Sequence, residues 1–303
     1  MKILGHTLGT PDHTPIEALE LFHNAGLDGA EIIWQDGYRP AIPESDDGSV
    51  VAAVKKRAAE LGLVIGALTP YVWGINSPDD DERRADIARL TRCIRVAEQL
   101  DCHRIRIYGG AFSTDEHFAQ KPERWAALVD TLGSLGTTAA KHGVVLCVEN
   151  HFSTMTESAA ETVALVQEVN HPAVGILYDQ ANLTFTHRED YPEAIALQAP
   201  WIRHVHVKDL EWIDPHRQLR TATVAQIQDE DRVHWSRMVG DGVLDWPAIL
   251  AALDAAGCDE FLSLEYEYRW NPADLPEPAV GFPESARRLR TILDDLAAGR
   301  TEA

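Results

Sequence analysis

The sequence predicts an α/β protein, a single-domain (β/α)8 TIM barrel over residues 1–303. Short apolar runs of strand length alternate with amphipathic segments of helix length along the whole chain. Four runs in the second half also end on a residue type that can bind a divalent cation, namely Glu149, Asp179, His206 and Glu265. Because the carboxyl ends of the strands in a parallel barrel open onto one face, we expect these four side chains to meet there.

Eight runs rich in aliphatic and β-branched residues predict the strands. They cover residues 2–5, 29–33, 63–68, 104–108, 144–149, 174–179, 202–206 and 261–265. Helices are predicted at 15–24, 50–61, 78–100, 121–142, 161–169, 191–198, 246–256 and 283–298. Thr14 and Glu17 form a capping box with proline at the first helical position, and Ser77, followed by acidic residues, is predicted to cap the third helix.

Two connections after strands are longer than the others, at about residues 210–245 and 266–281. Loops that follow barrel strands lie on the active face, so these segments are predicted to be lids or partner surfaces. Ordinary surface insertions are the alternative.

Composition excludes several classes of function. The chain has 27 Lys and Arg against 48 Asp and Glu, a formal charge of −21 that repels nucleic acid. No apolar run approaches the roughly 20 residues that span a bilayer. The N-terminal segment lacks a signal-peptide pattern, and the four cysteines lack CxxC spacing, so they are expected to be buried and reduced. We therefore expect a cytoplasmic protein with no membrane or nucleic-acid partner.

The four strand-end residues predict an oxygen-rich metal site. Any one of them alone is better explained as a helix cap, an ion-pair partner or a core histidine, but four consecutive strands ending this way favour shared metal ligation. Hard oxygen donors with one imidazole suit Mn²⁺ first, with Mg²⁺ or Co²⁺ as alternatives. The lack of cysteine ligands argues against a structural zinc site.

The motifs around these residues resemble one known superfamily. The matching segments are Val148 to His151, Tyr178 to Asn182, His204 to Asp209, Gly240 to Trp246 and Ser263 to Glu265. Over essentially its whole length the chain resembles the xylose isomerase-like TIM-barrel superfamily. That superfamily includes ketose 3-epimerases, hydroxypyruvate isomerase, inosose dehydratase and relatives of C-glycoside deglycosidase α-subunits. The resemblance implies that Glu149, Asp179, His206 and Glu265 are metal ligands and that Glu149 and Glu265 are the acid/base pair.

The chemistry of such a site is consistent with that implication. Removal of a proton next to a sugar carbonyl leaves an enediolate, whose charge a divalent ion stabilises as a Lewis acid. Glu149 and Glu265, from the fifth and eighth strands, are expected to lie across the barrel mouth from each other. Two carboxylates so placed could remove a proton from one face of the substrate and return it to the other. Asp179 and His206 would mainly hold the ion.

His151 is predicted to be a third catalytic residue because it follows Glu149 by two positions and can face the same pocket. In relatives acting on 3-keto glycosides, the resemblance implies a proton-shuttling histidine here. The alternative is a loop or helix-cap histidine.

Six further side chains are predicted to contact the substrate: Lys208, Asn182, His6, Tyr108, Trp34 and Trp270. Each has a structural alternative. Lys208 could instead pair with Asp209, Asn182 could bond its own turn, and the aromatic residues could be packing. Glu31 is expected to face the same mouth, and His204 to support the metal ligands.

These observations predict a divalent-metal-dependent sugar isomerase or epimerase. The first alternative is a lyase or dehydratase that uses the same site on keto sugars or 3-keto glycosides, with a small partner subunit. A DNA-repair endonuclease of the same fold is disfavoured by the −21 charge, and a non-catalytic sugar-binding barrel by the complete ligand set. The expected partner is an unphosphorylated sugar or glycoside, and the sequence leaves open whether the chain forms a homo-oligomer.

Overall fold

Eight parallel strands close a barrel in a computed structural model, which describes residues 1–112, 120–219, 227, 229–259 and 261–301. The strands are β1 (Lys2–His6), β2 (Gly29–Ile33), β3 (Val64–Thr69), β4 (Arg104–Tyr108), β5 (Val145–Glu149), β6 (Val174–Asp179), β7 (Ile202–Val207), β8 (Asp209–Trp212), β9 (His234–Arg237) and β10 (Phe261–Leu264). Around the barrel the order is β1-β2-β3-β4-β5-β6-β7-β10, with β10 closing onto β1. The predicted barrel fold is confirmed.

The helices pack around this barrel. They are α1 (Pro15–Asn24), α2 (Ser49–Leu61), α3 (Asp80–Gln99), α4 (Lys121–Lys141), α5 (Ala159–Val169), α6 (Gln180–His187), α7 (Tyr191–Gln198), α8 (Trp246–Ala255) and α9 (Pro278–Thr301). The capping box before α1 forms as predicted: Thr14 N–H donates to Glu17 Oε2 at 2.7 Å, and Glu17 N–H donates to Thr14 Oγ1 at 3.3 Å. Within the described residues, no helix is long and apolar enough to cross a membrane.

Two helical details differ from the prediction. Asp79, and not Ser77, caps α3, because its carboxylate accepts the N–H groups of Asp81 and Glu82. Helix α6 was not predicted, and it begins directly after Asp179, whose side chain accepts the Asn182 N–H. A metal-ligand candidate therefore also caps a helix.

The interior of the barrel changes from apolar to polar along the strands. Leu4 fills the amino-terminal end, where a Cβ at Gly66 would come within 2.3 Å of its Cδ1. Toward the carboxyl ends the interior holds buried histidines and carboxylates. Aliphatic packing thus forms the floor, and the chemistry-bearing side chains lie at the mouth.

The long segment 210–245 contains an unpredicted antiparallel hairpin of β8 and β9, although positions 220–226 and 228 lie outside the described residues. The Asp209 carboxylate organises its base by accepting backbone N–H groups from Leu210, Gly240, Gly242 and Leu244 at 2.8–3.3 Å. A Cβ at Gly242 would lie 2.1 Å from Asp209 Oδ1. This close approach explains the glycine in the turn.

Candidate active site

The structure brings the four strand-end residues together at the barrel mouth. His206 Nδ1 lies 3.0 Å from Glu149 Oε1, 3.4 Å from Glu265 Oε2 and 3.9 Å from Asp179 Oδ2. One ligand atom from each of the four residues lies within 4.8 Å of the others, and all four side chains are buried. Strand register contributes to this geometry, since Asp179 on β6 is the partner of His206 on β7.

The donor set fits a divalent cation. Three buried carboxylates converge with one imidazole, and burying that much like charge is costly without a cation between them. The Lys208 ammonium partly neutralises this charge, because its Nζ lies 2.6 Å from Glu265 Oε2 and 2.9 Å from Asp179 Oδ2. Oxygen donors in this number suit a hard ion. Metal ligation by these residues stays a prediction.

Burial and pairing set the protonation of the cluster. Burial raises the pKa of Asp179 to about 7, although the charge of Lys208 opposes the rise. Burial also acts to lower the pKa of Lys208, but Asp179 and Glu265 hold it well above its ordinary value. Lys208 therefore stays cationic. Its predicted alternative partner, Asp209, bonds the hairpin backbone instead.

Arg106 is a functional candidate that the prediction missed. It lies on β4 with 1% exposure, and its guanidinium pairs with Glu149 Oε2. The guanidinium carbon lies 3.7 Å from the centre of the Tyr108 ring. Burial tends to raise the pKa of Glu149, but Arg106, His151 and the hydrogen bond with His206 together outweigh it and the pKa falls to about 2. The signal in the sequence is an arginine between Ile105 and Ile107, in a strand that also contains Arg104.

His151 lines the same cavity as Glu265 and Lys208. Its Nδ1 is 2.8 Å from the Phe152 carbonyl oxygen. Because a carbonyl only accepts, Nδ1 carries the proton and Nε2 keeps its lone pair. Burial lowers the pKa of His151 to about 4, which agrees with a neutral ring.

An arc of rings walls the cavity, which has an empty volume of about 710 Å³ including its opening. Successive ring centres are 4.1–6.3 Å apart in the order Tyr71, Tyr108, His151, Phe152, Phe185, His234. Trp270 from the loop after β10 also lines the cavity. Tyr108 and Trp270 were predicted to line the pocket. Tyr71 and Phe152 were missed because they come from loops whose course the sequence does not reveal. Phe185 and His234 were missed because they lie on helix α6 and strand β9, which were not predicted.

Trp34 does not lie where it was predicted. It is 1% exposed and packs in the hydrophobic core, with the Arg92 guanidinium carbon 5.9 Å from its ring centre. Side chains alternate along an extended segment, so Glu31 and Ile33 face the barrel interior while Trp34 faces the helices.

His6 and Asn182 also serve the structure around the cavity rather than its surface. The His6 ring is fully buried, and its Nδ1 accepts the Leu8 N–H at 2.9 Å. Asn182 is fully buried, and its Nδ2 donates to the Asn150 carbonyl at 2.8 Å while its backbone N–H donates to Asp179. Asn182 therefore braces a ligand candidate.

Glu149 and Glu265 do not lie across the mouth from each other. Only β6 and β7 separate β5 from β10 in the closed barrel. Both carboxylates approach the same imidazole nitrogen from one half of the mouth. The expectation failed because strands five and eight of an eight-membered ring are three positions apart, whereas opposite strands are four apart.

Comparison with known proteins identifies the family. The profile described as "Xylose isomerase-like TIM barrel" matches residues 19–292, and the chain belongs to that family.

One relative and two solved structures illustrate the similarity. The chain is 32% identical over 181 residues to inosose dehydratase of Geobacillus thermodenitrificans (strain NG80-2), an alignment that covers 58% of this chain and 57% of that protein. The fold resembles D-psicose 3-epimerase crystallised in the presence of D-fructose, with a TM-score of 0.75, 18% identity and coverage of 97% and 99%. It also resembles the IolI protein with a bound zinc atom, with a TM-score of 0.74, 20% identity and 99% coverage of both chains. The two solved structures show a shared fold, and the alignment with the relative spans a little over half of its length.

Proposed function

We propose that this protein is a divalent-metal-dependent dehydratase that removes water from an unphosphorylated keto sugar or keto polyol. The observation that carries the proposal is the neutral His151 ring, whose Nε2 is free to accept a proton beside the buried carboxylates. Glu149, the expected base, is instead held by Arg106 and by His206. The similarity to inosose dehydratase supports the same class of reaction.

The residues present can carry the whole proton balance. When bound at Glu149, Asp179, His206 and Glu265, a divalent ion would act as a Lewis acid toward the carbonyl oxygen of the substrate. His151 Nε2 removes the proton from the carbon next to that carbonyl. The C–O bond at the adjacent carbon breaks as the C=C bond forms, and the imidazolium returns the same proton to the departing hydroxyl, which leaves as water.

Two cations orient the substrate in this scheme. Arg106 lines the cavity, and its buried Nε and Nη1 have no hydrogen-bond partner among the described residues, so the guanidinium has donors left for a substrate oxygen once it turns toward the cavity. Lys208 lines the same cavity and can donate to the departing hydroxyl. Preorganised donors of this kind stabilise developing charge.

Charge balance in the cavity favours an uncharged substrate. Each cation among its described lining residues already has a carboxylate partner: Arg106 pairs with Glu149, Lys208 with Glu265, and Arg232 with Asp274. A phosphate group would require at least one cation to leave its partner.

A sugar isomerase or epimerase is the second candidate. Glu265 lines the cavity and lies close to the position of Glu149, so a carboxylate could return the proton to carbon in place of elimination. Mn²⁺ is the ion we propose first for either reaction, because the site is dominated by oxygen donors.

Incubation of the Mn²⁺-loaded enzyme with inososes, ketoses and 3-keto glycosides in D2O separates these reactions. Proton NMR should show loss of a substrate C–H signal together with a new C=C bond for a dehydratase, and exchange without bond cleavage for an epimerase. The His151→Gln variant should lose roughly 10²–10⁴-fold in rate, as expected for removal of a general base. His142→Gln, on the surface beside Glu98, is the matched control. Undiminished turnover in His151→Gln would favour the carboxylate pair and the isomerase reaction.

A further inference from the structure

A second buried cluster lies directly behind the proposed metal ligands, around Glu31 on β2. This side chain is fully buried. Its oxygens lie 2.7 Å from His204 Nε2, 3.2 and 3.3 Å from His206 Nε2, and 3.5 Å from His6 Nε2. The Thr69 hydroxyl also donates to it. One carboxylate therefore faces three imidazoles.

The hydrogen-bond pattern determines which ring nitrogens carry protons. An ionised carboxylate only accepts, so the nitrogens that face Glu31 are donors. His6 shows this independently, because its Nδ1 accepts the Leu8 N–H and its proton must therefore lie on Nε2. The same rule places a proton on His206 Nε2.

For His206 the consequence reaches the proposed metal site. The ring has one other nitrogen, Nδ1, and that atom faces Glu149, Glu265 and Asp179. Without an ion, the same rule gives Nδ1 a proton as well, because it faces the Glu149 carboxylate. A cation held by those carboxylates would displace that proton, and with Nε2 still donating to Glu31, Nδ1 would present its lone pair to the cation. A carboxylate behind a ligating histidine fixes both the ring orientation and the tautomer.

We propose that Glu31 is a positioning residue for the metal site, which acts by holding His206 as the Nε2–H tautomer with Nδ1 directed at the ion. His204 and Thr69 hold Glu31 in turn, through its two oxygens. This inference rests on the proposed function in one respect, that the four mouth residues bind a divalent ion.

Mn²⁺ affinity tests the inference without any substrate. Glu31→Gln keeps the volume of the side chain and removes its charge, and it should weaken Mn²⁺ binding about 10–100-fold at a stoichiometry of one ion per chain. Free Mn²⁺ can be counted by electron paramagnetic resonance. Glu44→Gln is the matched control, since Glu44 is a largely buried carboxylate, with 8% side-chain exposure, that pairs with Arg89 and Arg92 away from the cluster. Its affinity should equal that of the wild type.

Nitrogen NMR supplies a readout that a loss of stability alone would not move. In the Zn²⁺-loaded, ¹⁵N-histidine-labelled wild type, His206 should show a protonated Nε2 and a metal-bound Nδ1, and the Nε2 proton should move upfield in Glu31→Gln. Thr69→Val removes a hydrogen-bond donor to Glu31 and leaves the histidines unchanged, so it should weaken Mn²⁺ binding by a smaller factor. This variant tests the inference if Glu31→Gln does not fold.

Three results would overturn the inference. The first is an unchanged Mn²⁺ affinity in both Glu31→Gln and Thr69→Val. The second is a protonated His206 Nδ1 in the metal-loaded wild type. The third is two ions per wild-type chain with one lost in Glu31→Gln, which would make Glu31 a ligand of a second ion. A wild type that binds no divalent ion would instead refute the proposed function, so the two failures are distinguishable.

Discussion

Arg106 shows how a single residue sets the chemistry of this barrel mouth. A guanidinium with 1% exposure requires a partner, and the partner it finds is the carboxylate that the sequence marks as the general base. Removal of one member of such a buried pair leaves an uncompensated charge and costs about 3–5 kcal/mol. Glu149 is therefore better suited to hold a cation than to take a proton from carbon.

His234 is a buried histidine whose protonation should reduce stability in acid. Burial lowers its pKa to about 3 from an ordinary 6.5. As pH falls below 6.5, His234 becomes protonated in the unfolded chain, whereas in the folded protein it stays neutral until about pH 3. The protein therefore loses stability as the pH falls between these two values.

The His234→Phe variant should therefore lose less stability on acidification. Phenylalanine preserves the stack on Phe185, whose ring centre is 4.4 Å away. Between pH 7 and pH 5, in the presence of EDTA, the variant should retain roughly 1–2 kcal/mol more than the wild type. Urea unfolding at the two pH values measures the difference. His234→Gln, which removes the titration but also the stack, should show the same shallow slope at lower stability, and a wild-type slope in both variants would contradict the assignment.

At the scale of elements, local capping and packing explain most helix boundaries. Ser158 and Glu161 form a second capping box, which begins α5 two residues before the predicted start. The hairpin of β8 and β9 depends on distant contacts instead: Ser236 N–H donates to Asp274 at 2.9 Å and its hydroxyl donates to Glu267 at 2.8 Å. A hairpin held by the loop after β10 has no local signature.

Helix α4 offers a matched pair of glycines. A Cβ at Gly133 would meet nothing within 4 Å, so Gly133→Ala should stabilise the protein by about 0.5–1 kcal/mol by reducing the freedom of the unfolded chain. At Gly136 a Cβ would lie 2.8 Å from His171 Nδ1 and 2.9 Å from Val174 Cγ2, and Gly136→Ala should destabilise. Chemical denaturation measures the free energy of unfolding of both variants. Equal changes in the two variants would show that helix propensity alone, and not the space around each glycine, sets the effect on stability.

At the scale of the whole molecule, the proposed ion joins strands that are far apart in sequence. The four candidate ligands come from β5, from the ends of β6 and β7, and from the residue after β10. An ion that binds the folded barrel and not the unfolded chain stabilises it by mass action.

Mn²⁺ should therefore raise the thermal unfolding temperature relative to EDTA. At a hundredfold excess over Kd the gain is about 2.7 kcal/mol, which corresponds to a few degrees for a chain of this size. Asp179→Asn should lose most of the shift, whereas Glu44→Gln should keep it. A shift of equal size in both variants would place the ion elsewhere.

The sequence by itself determined the order of the eight barrel strands, the order of the helices other than α6, and the convergence of four polar strand ends. Those features follow from local rules: side-chain periodicity, caps, and the common direction of parallel strands. This is why Glu149 and His206 could be placed together from the sequence although 57 positions separate them.

Only the tertiary structure decided which side chains share a space across the barrel. Strand register, with its shifts between Ala30 and Glu31 and between Ile176 and Leu177, sets the height of each inward residue. Register and ring closure brought Glu31 against His206. Such contacts depend on the relative heights of strands that meet only when the barrel closes, and no stretch of local sequence encodes that height.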